Sequence, residues 1–203
     1  HNLYALFAER FPAPSAPLLE TEEGEIVTYG DIAQRAGRMA AVLAAQGARP
    51  GDRIAAQVEK SPDALALYLA CLRGGFVYLP LNTAYQAGEI EYFIGDAEPG
   101  VLVCSSRNFG WASQIAFKAG TQNVFTLDDD RTGSLLERAA QMSDRHEAVP
   151  RRADDLAAIV YTSGTTGRSK GAMLTHANLA SNARVLHDYW GWRSDDVLIH
   201  ALP

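Results

Sequence analysis

The sequence predicts an α/β fold in which helices cover both faces of a mainly parallel β-sheet. Strand-like and helix-like segments alternate along the chain, as they do in proteins built from β-α-β units. LAAIVY, at positions 156–161, is apolar at every position, which is typical of a central strand covered on both faces. We therefore expect parallel strands joined by right-handed crossovers.

Capping signals define the first helices. Thr28, with Asp31 three residues later, predicts a capping box, and the helix that it opens should end at Gly47. Ser61 predicts the N-cap of the next helix, with Pro62 at its first position. Further helices are predicted at 88–97, 110–120 and 134–142, and strands at 25–29, 53–58, 76–81, 100–105 and 123–127.

The chain divides into two predicted units. Positions 1–155 should form a first α/β subdomain whose last part, 143–155, is a polar surface connection. Positions 156–203 should contain a central strand, a loop, a helix and a final strand in DDVLIHALP. We expect the chain to be an N-terminal fragment, since it begins at His1 and stops where a functional loop of an α/β protein would begin.

Composition excludes several classes of function. The net charge of −6 argues against a general nucleic-acid binder. No apolar run approaches the ~18 residues of a membrane span, so we expect a cytoplasmic protein. Cys71 and Cys104 lie far apart in apolar segments and are predicted to be buried free thiols. The acidic run 128–130 predicts a solvated turn, and we expect no metal ligands.

The most informative segment is TSGTTGRSK, which directly follows the apolar strand. Ligands of parallel sheets bind beyond the carboxyl ends of strands, where this loop begins. Glycines let the backbone approach a ligand, consecutive N–H groups can form an anion-binding nest, and hydroxyls add donors. The predicted phosphate-binding residues are Thr162, Ser163, Gly164, Thr165, Thr166, Gly167, Arg168, Ser169 and Lys170.

Two other interpretations of the loop compete with the one above. The nucleoside-triphosphatase P-loop fails, because Ser169 precedes Lys170 and Gly171 follows it where Ser or Thr should stand. A surface loop without a ligand is favoured by composition alone, whereas the order of the residues favours phosphate binding. Within the loop, Arg168 is expected to face solvent, and a solvated role for Lys170 stays open.

YTSGTTGRSKG, at 161–171, resembles the signature loop of the adenylate-forming enzymes, which include acyl-CoA synthetases, luciferases and peptide-synthetase adenylation domains. THANL, at 175–179, is similar to the usual continuation of that motif. Ser169 departs from the commonest form, which has Pro, and resembles the malonyl-CoA synthetase branch. LNTAY and YFIGDAEP, at 81–85 and 92–99, resemble that branch as well.

This resemblance implies a fold and a reaction. The chain would be the first part of the large N-terminal domain of an adenylate-forming enzyme. Such an enzyme activates a small carboxylate, here malonate or methylmalonate, with ATP and Mg²⁺ and transfers the acyl group to coenzyme A. The loop would hold the ATP phosphates, with Lys170 as an electrostatic partner. The family's other motifs, including those expected to bind Mg²⁺, would lie beyond Pro203, so the fragment alone should be inactive.

Alternatives to this function remain open at this point. Within the family, another short-chain acyl-CoA synthetase or a peptide-synthetase adenylation domain is possible. A truncated, non-catalytic nucleotide-binding module and a purely structural α/β domain belong to different classes. The first would bind ATP without exchanging pyrophosphate, and the second would keep its nucleotide affinity when the loop is altered.

Residues after the loop carry further expectations. Thr175 is predicted to be an N-cap, and His176 either lines a nucleotide site or has a structural role beside that cap. Packing at the helix end, rather than stacking on a base, is expected for Tyr189, Trp190 and Trp192. His200 either sits on the final strand near the ligand pockets or is buried and hydrogen-bonded. A core stripe is predicted at Leu179, Ala183, Leu186 and Trp190.

Overall fold

A computed structural model describes residues 1–162 and 168–201. In chain order its elements are α1 (Leu3–Ala8), β1 (Pro17–Glu20), β2 (Ile26–Thr28), α2 (Tyr29–Ala45), β3 (Arg53–Gln57), α3 (Pro62–Gly74), β4 (Val77–Pro80), α4 (Ala87–Ala97), β5 (Val101–Cys104), α5 (Phe109–Lys118), β6 (Asn123–Thr126), α6 (Ser134–Ala140), β7 (Leu156–Thr162), β8 (Lys170–Thr175) and α7 (His176–Trp190). A short 3₁₀ turn, Ser106–Asn108, precedes α5.

The main sheet is mostly parallel, as predicted. Its six strands lie in the order β6-β5-β3-β4-β7-β8, and every neighbouring pair is parallel except β7 with β8. A separate antiparallel pair, β1 with β2, stands outside this sheet, and β1 was not predicted from the sequence. Strand β7 is wholly apolar up to Tyr161, but it lies next to the last strand of the described sheet and several of its side chains are only half-buried.

Each face of the sheet has its own hydrophobic core. Ile54 and Ala56 of β3 pack in the cluster that also contains buried residues of α1, α2, α3 and α6. Ala55, between them, packs in the opposite cluster with residues of α4 and α5. Because successive side chains of a strand point to opposite faces of the sheet, one strand contributes side chains to both cores. Helices therefore cover both faces, and these helices position the sheet edge that carries the loop.

The capping predictions are confirmed. Thr28 Oγ1 accepts from the Asp31 backbone N–H at 3.1 Å, while the Asp31 carboxylate accepts from the Thr28 N–H at 2.9 Å. Ser61 Oγ accepts from the Ala64 N–H at 3.0 Å. Gly75 ends α3 with a φ of 72°, a left-handed conformation in which glycine is favoured.

The thiol prediction is also confirmed. Cys71 and Cys104 are buried and free. Burial raises the pKa of the Cys71 thiol well above its ordinary range and that of Cys104 to about 12. Both side chains are protonated at neutral pH and act as small apolar groups.

Arg73, near the end of α3, ties the connection before β7 to the core. Its Nη1 donates to the Ala33 carbonyl at 2.8 Å, and its Nη2 donates to the Asp144 carbonyl at 3.2 Å. Its guanidinium also lies 5.1 Å from the centre of the Tyr4 ring. The connection predicted at 143–155 is therefore held to the fold by its backbone, although its side chains are mostly exposed or half-buried.

The predictions for the last part of the chain were wrong in two respects. The core stripe on α7 does not form: Leu179 and Leu186 are half-buried, whereas Ala183 is exposed and Trp190 is 61% exposed. A periodic stripe indicates which face is apolar, and the described neighbours of α7, which include α1, β7 and β8, leave the C-terminal part of this face exposed. Trp190 does contact Trp192, with ring centres 6.4 Å apart, but Tyr189 is 83% exposed.

The final strand is likewise absent from the described residues. Residues 195–201 form no ladder, and Val197 is 89% exposed. A strand needs a neighbour to pair its backbone groups, and this segment pairs with no described strand. His200 is exposed, so the alternative in which it is buried was wrong; its carbonyl accepts from Lys60 Nζ at 2.9 Å.

No helix in the described part of the chain has the length and apolar character that crossing a membrane requires.

The acidic run 128–130 ends in a turn, as predicted. Asp128 accepts from the Ser106 N–H at 2.9 Å, and Asp130 accepts from the Thr132 N–H at 3.1 Å.

His176 has the structural role that was one of its two predicted alternatives. It is fully buried, and its Nδ1 accepts from the Leu3 N–H at 3.0 Å. Burial lowers the pKa of His176 to about 4; the positive charge of Arg151 adds to the shift and Asp155 opposes it. Protonation would place a proton on the nitrogen that accepts from Leu3, so the neutral imidazole is the form that fits.

We predict that His176 makes the fold sensitive to acid. Its folded-state pKa lies below that of an exposed imidazole, so its contribution to stability is fully present above about pH 6.5 and is lost as the pH falls toward about 4. In His176→Gln, the free energy of unfolding should fall less between pH 7 and pH 5 than in wild type, by on the order of 1 kcal/mol. Urea denaturation of the full-length protein at both pH values measures this.

The control is His187→Gln, which alters an exposed histidine of the same helix. It should keep the wild-type dependence on pH. Parallel pH profiles for wild type and His176→Gln would contradict the role assigned to His176.

Candidate functional site

The two described ends of the predicted loop lie side by side. Thr162, the last residue of β7, is opposite Lys170, the first residue of β8, in the antiparallel register. Both side chains are exposed. Ser163, Gly164, Thr165, Thr166 and Gly167 lie outside the described residues. The described part of the site therefore consists of the ends of the loop and of what holds them.

A cluster of four aromatic residues lies beneath these ends. We define the aromatic cluster as Tyr85, Tyr92, Phe93 and Tyr161. Phe93 is its centre: its ring centre lies 4.4 Å from that of Tyr161, 4.9 Å from that of Tyr85 and 5.5 Å from that of Tyr92. Tilted ring pairs at these separations are favourable. The cluster packs α4 against the end of β7.

The end of the loop that leaves β7 is fixed by Tyr161. This side chain is buried, and its hydroxyl donates to the Asp96 carboxylate on α4. Burial, followed by the hydrogen bond to Asp96, raises the pKa of Tyr161 well above its ordinary range. The phenol therefore stays protonated at neutral pH and remains a hydrogen-bond donor.

The end of the loop that enters β8 is held by Tyr92. The Tyr92 hydroxyl donates to the Ser169 carbonyl at 2.9 Å, and the Arg168 guanidinium lies 5.6 Å from the centre of the Tyr92 ring. Arg168 is exposed, in agreement with the expectation that it faces solvent, and Ser169 is half-buried. Neither Tyr92 nor Asp96 was predicted from the sequence to contact the loop, although both lie in the segment YFIGDAEP.

Gly171 allows β8 to pair closely with β7. A Cβ at this position would lie 2.9 Å from Ile159 Cγ2 and 3.4 Å from Tyr161 Cζ. The small residue after Lys170 thus has a packing role against the aromatic cluster. It also explains why this position carries no Ser or Thr in the present chain.

The electrostatics of the described loop ends favour an anion. Arg168 and Lys170 are both exposed, and within 1–162 and 168–201 neither forms an ion pair with a carboxylate. The described loops that leave the carboxyl ends of β3, β4, β5 and β6 each lead into a helix, whereas the loop after β7 leads into strand β8. The helix after it, α7, begins at His176 with a capping box in which Asn178 N–H donates to Thr175 Oγ1 at 3.1 Å, as predicted for Thr175.

Comparison with known proteins identifies the family. The family model of AMP-binding enzymes matches residues 7–203. The chain belongs to the AMP-binding enzyme family. Its fold matches as well: the apo crystal structure of MatB from Rhodopseudomonas palustris is 52% identical, with a TM-score of 0.95 over all of this chain and 40% of that chain.

A second MatB structure and two sequence relatives are similar to the chain as well. The ATP-bound crystal structure of MatB from Rhodopseudomonas palustris is 53% identical over all of this chain and 40% of that chain, with a TM-score of 0.95. Feruloyl-CoA synthase of an Amycolatopsis species is 33% identical over 78% of this chain and 30% of that protein. CymA of Salinispora arenicola, a probable non-canonical nonribosomal peptide synthetase, is 32% identical over 94% of this chain and 2% of that protein. The chain thus spans less than half the length of each of these relatives.

We predict that Gly171→Ala destabilises the AMP-binding fold locally. The added methyl group meets a β-branched side chain and an aromatic ring, neither of which can move freely, and overpacking of this kind costs about 1–3 kcal/mol. Urea denaturation should show this loss. Gly95→Ala on α4 is the control, because nothing lies within 4 Å of a Cβ there. Helix propensity should raise stability in the control by up to about 1 kcal/mol. Equal stability of Gly171→Ala and wild type would refute the packing role.

Proposed function

We propose that the protein containing this chain is an ATP-dependent acid–thiol ligase. It activates a small carboxylate as an acyl-adenylate, with release of pyrophosphate, and transfers the acyl group to the thiol of coenzyme A with release of AMP. The order of residues in TSGTTGRSK carries the proposal, in a chain that belongs to the AMP-binding enzymes and is 53% identical to a MatB structure solved with ATP. This reaction uses metabolites of the cell interior, so we also propose a cytoplasmic location.

The loop at 162–170 is the proposed site for the ATP phosphates. Its hydroxyls and backbone N–H groups would donate to phosphate oxygens, and hydrogen bonds to charged groups contribute about 1.5–3 kcal/mol each. Arg168 and Lys170, exposed and without carboxylate partners among the described residues, support this role. Lys170 would act as a point charge that offsets the charge of the departing pyrophosphate, because such reactions depend on position and charge neutralisation.

The proposed acid is malonate or methylmalonate. LNTAY, YFIGDAEP and Ser169 resemble malonyl-CoA synthetases. Identity to MatB, at 52% over the whole chain, is far above the 33% shared with feruloyl-CoA synthase, which supports a substrate shared with MatB rather than an aromatic acid. Residues of the acyl pocket, the Mg²⁺ ligands and the remaining catalytic groups are proposed to lie beyond Pro203, so residues 1–203 alone should not complete the reaction.

A peptide-synthetase adenylation domain is the second candidate. The 32% identity to CymA over 94% of this chain favours it. It differs in the acid that it activates, an amino acid, and in the thiol that accepts the acyl group. Both candidates would form an acyl-adenylate in the first half-reaction. The acid that supports this half-reaction therefore distinguishes them.

We predict carboxylate-dependent exchange between ATP and labelled pyrophosphate by the full-length protein. Malonate and methylmalonate should each support exchange, while acetate, benzoate and a panel of amino acids should support little. Exchange driven by an amino acid would favour the second candidate. If none of the acids supports exchange but ATP still binds in a calorimetric titration, the protein would be a nucleotide-binding module. Exchange with acetate or benzoate alone would preserve the reaction class and overturn the proposed acid.

We predict that Lys170→Ala slows adenylation selectively. Loss of one charged contact to the leaving pyrophosphate should reduce exchange by about 10-fold to 100-fold, since each 1.4 kcal/mol corresponds to tenfold. Thioester formation from a chemically prepared acyl-adenylate should change little, because pyrophosphate has already left. Stopped-flow assays of the two half-reactions measure both effects.

Lys118→Ala is the matched control, since Lys118 is exposed and pairs with Glu91 at 2.7 Å on the outer helices. It should leave both half-reactions unchanged. Equal slowing of the two half-reactions in Lys170→Ala would count against the role proposed for this lysine.

A further inference from the structure

One helix holds both ends of the loop. Asp96 of α4 accepts from Tyr161, the residue next to the end of β7, and Tyr92 of α4 donates to the carbonyl of Ser169, the residue before β8. Asp96 and Tyr92 are four residues apart, which places them on the same side of an α-helix. Any displacement of α4 would therefore displace both ends of the loop together.

Helix α4 is itself fixed to the sheet. In its first turn, the Glu89 carboxylate accepts from the Gln86 backbone N–H at 2.8 Å. At its other end, Arg53 of β3 donates from Nε to the Ala97 carbonyl at 2.8 Å and from Nη2 to the Glu98 carbonyl at 3.0 Å. The buried side chains of Ile90, Phe93 and Ile94 pack the helix into the core. Tyr92 thus projects from a support that is held at both ends.

Tyr92 makes two kinds of contact with the loop. Its hydroxyl satisfies the Ser169 carbonyl, so this electronegative group has a partner on the α4 side and is not left to repel an anion. Its ring lies under the Arg168 guanidinium, a cation–π contact that leaves the N–H donors of Arg168 without a carboxylate partner in the described chain. Each contact orders a residue beside Lys170.

We propose that Tyr92 is a positioning residue for the ATP phosphates, a role that rests on the proposed function. Residues that become fixed when a ligand binds lose conformational entropy, and each residue that is ordered beforehand reduces that cost. Tyr92 orders Arg168 and Ser169 before ATP arrives. It touches neither the reacting carboxylate nor the α-phosphate in this scheme, and it acts through the backbone and side chain that it holds.

The test compares two substitutions of Tyr92 with a control from the same cluster. Tyr92→Phe removes the hydroxyl and keeps the ring, whereas Tyr92→Leu removes both contacts. Tyr85→Phe alters a cluster member that contacts Phe93 and no described residue of the loop. Titration calorimetry of the full-length protein gives the dissociation constant for ATP, a readout that requires no turnover. Thermal unfolding of each variant is measured in parallel.

ATP affinity should fall by about 3-fold to 10-fold in Tyr92→Phe, the range of one net hydrogen bond. Tyr92→Leu should lose about threefold more, the range of an exposed cation–π contact. Tyr85→Phe should bind ATP like wild type. In pyrophosphate exchange, the KM for ATP should rise in the same order, with the KM for the carboxylate unchanged, a separation that a general loss of stability would not produce.

Unchanged or tighter ATP binding by both Tyr92 variants would overturn the inference while the proposed function stands. Equal losses in Tyr92→Phe and Tyr85→Phe would also overturn it, since the effect would then belong to the cluster as a whole. Failure of the wild-type protein to bind ATP would instead refute the proposed function. If wild type binds ATP without exchange, the affinity series still tests the inference.

Discussion

The antiparallel pairing of β7 with β8 is the constraint on which the candidate site depends. A parallel pair needs a crossover of a dozen or more residues, so it cannot bring the two ends of a short loop together. Here Thr162 faces Lys170 across the only antiparallel step in the described main sheet. The loop must leave and return within one strand spacing, about 4.8 Å. The chain therefore leaves and re-enters the sheet at the carboxyl end of β7, with Lys170 as the first residue of the returning strand.

Charge at the site is local rather than global. The chain carries a net charge of −6, so its overall field does not attract a polyphosphate. The described cations next to the loop, Arg168 and Lys170, are exposed and lack carboxylate partners, whereas Arg35 near the opposite core pairs with Glu25 and Asp63 at 3.3 Å each. Charges that are already paired contribute little to an incoming anion, whereas Arg168 and Lys170 carry theirs, without a carboxylate partner among the described residues, where the loop ends.

Most of the fold could be predicted from local signals in the sequence. The capping boxes at Thr28 and Thr175 and the N-cap at Ser61 involve residues three positions apart, so the chain itself displays them. The support of the loop could not be predicted in this way, since Tyr92 and Ser169 are 77 residues apart and the contact depends on the packing of α4. The stripe on α7 failed for the opposite reason: periodicity identifies an apolar face but carries no information about what covers it.

The tie between Leu3 and His176 has a consequence for the order of events during synthesis. The two residues are separated by 173 positions, and Asn2 donates to the Val149 carbonyl across 147. The first helix can contact α3 early, since Asn2 donates to the Leu72 carbonyl at 2.7 Å, but its hydrogen bond to His176 forms only after β7 and β8 have been translated. At about 5–20 residues per second, roughly ten seconds or more separate the synthesis of Leu3 from that of His176. In that interval α3 is the described element that can cover α1, so the packing around α1 is completed late in synthesis.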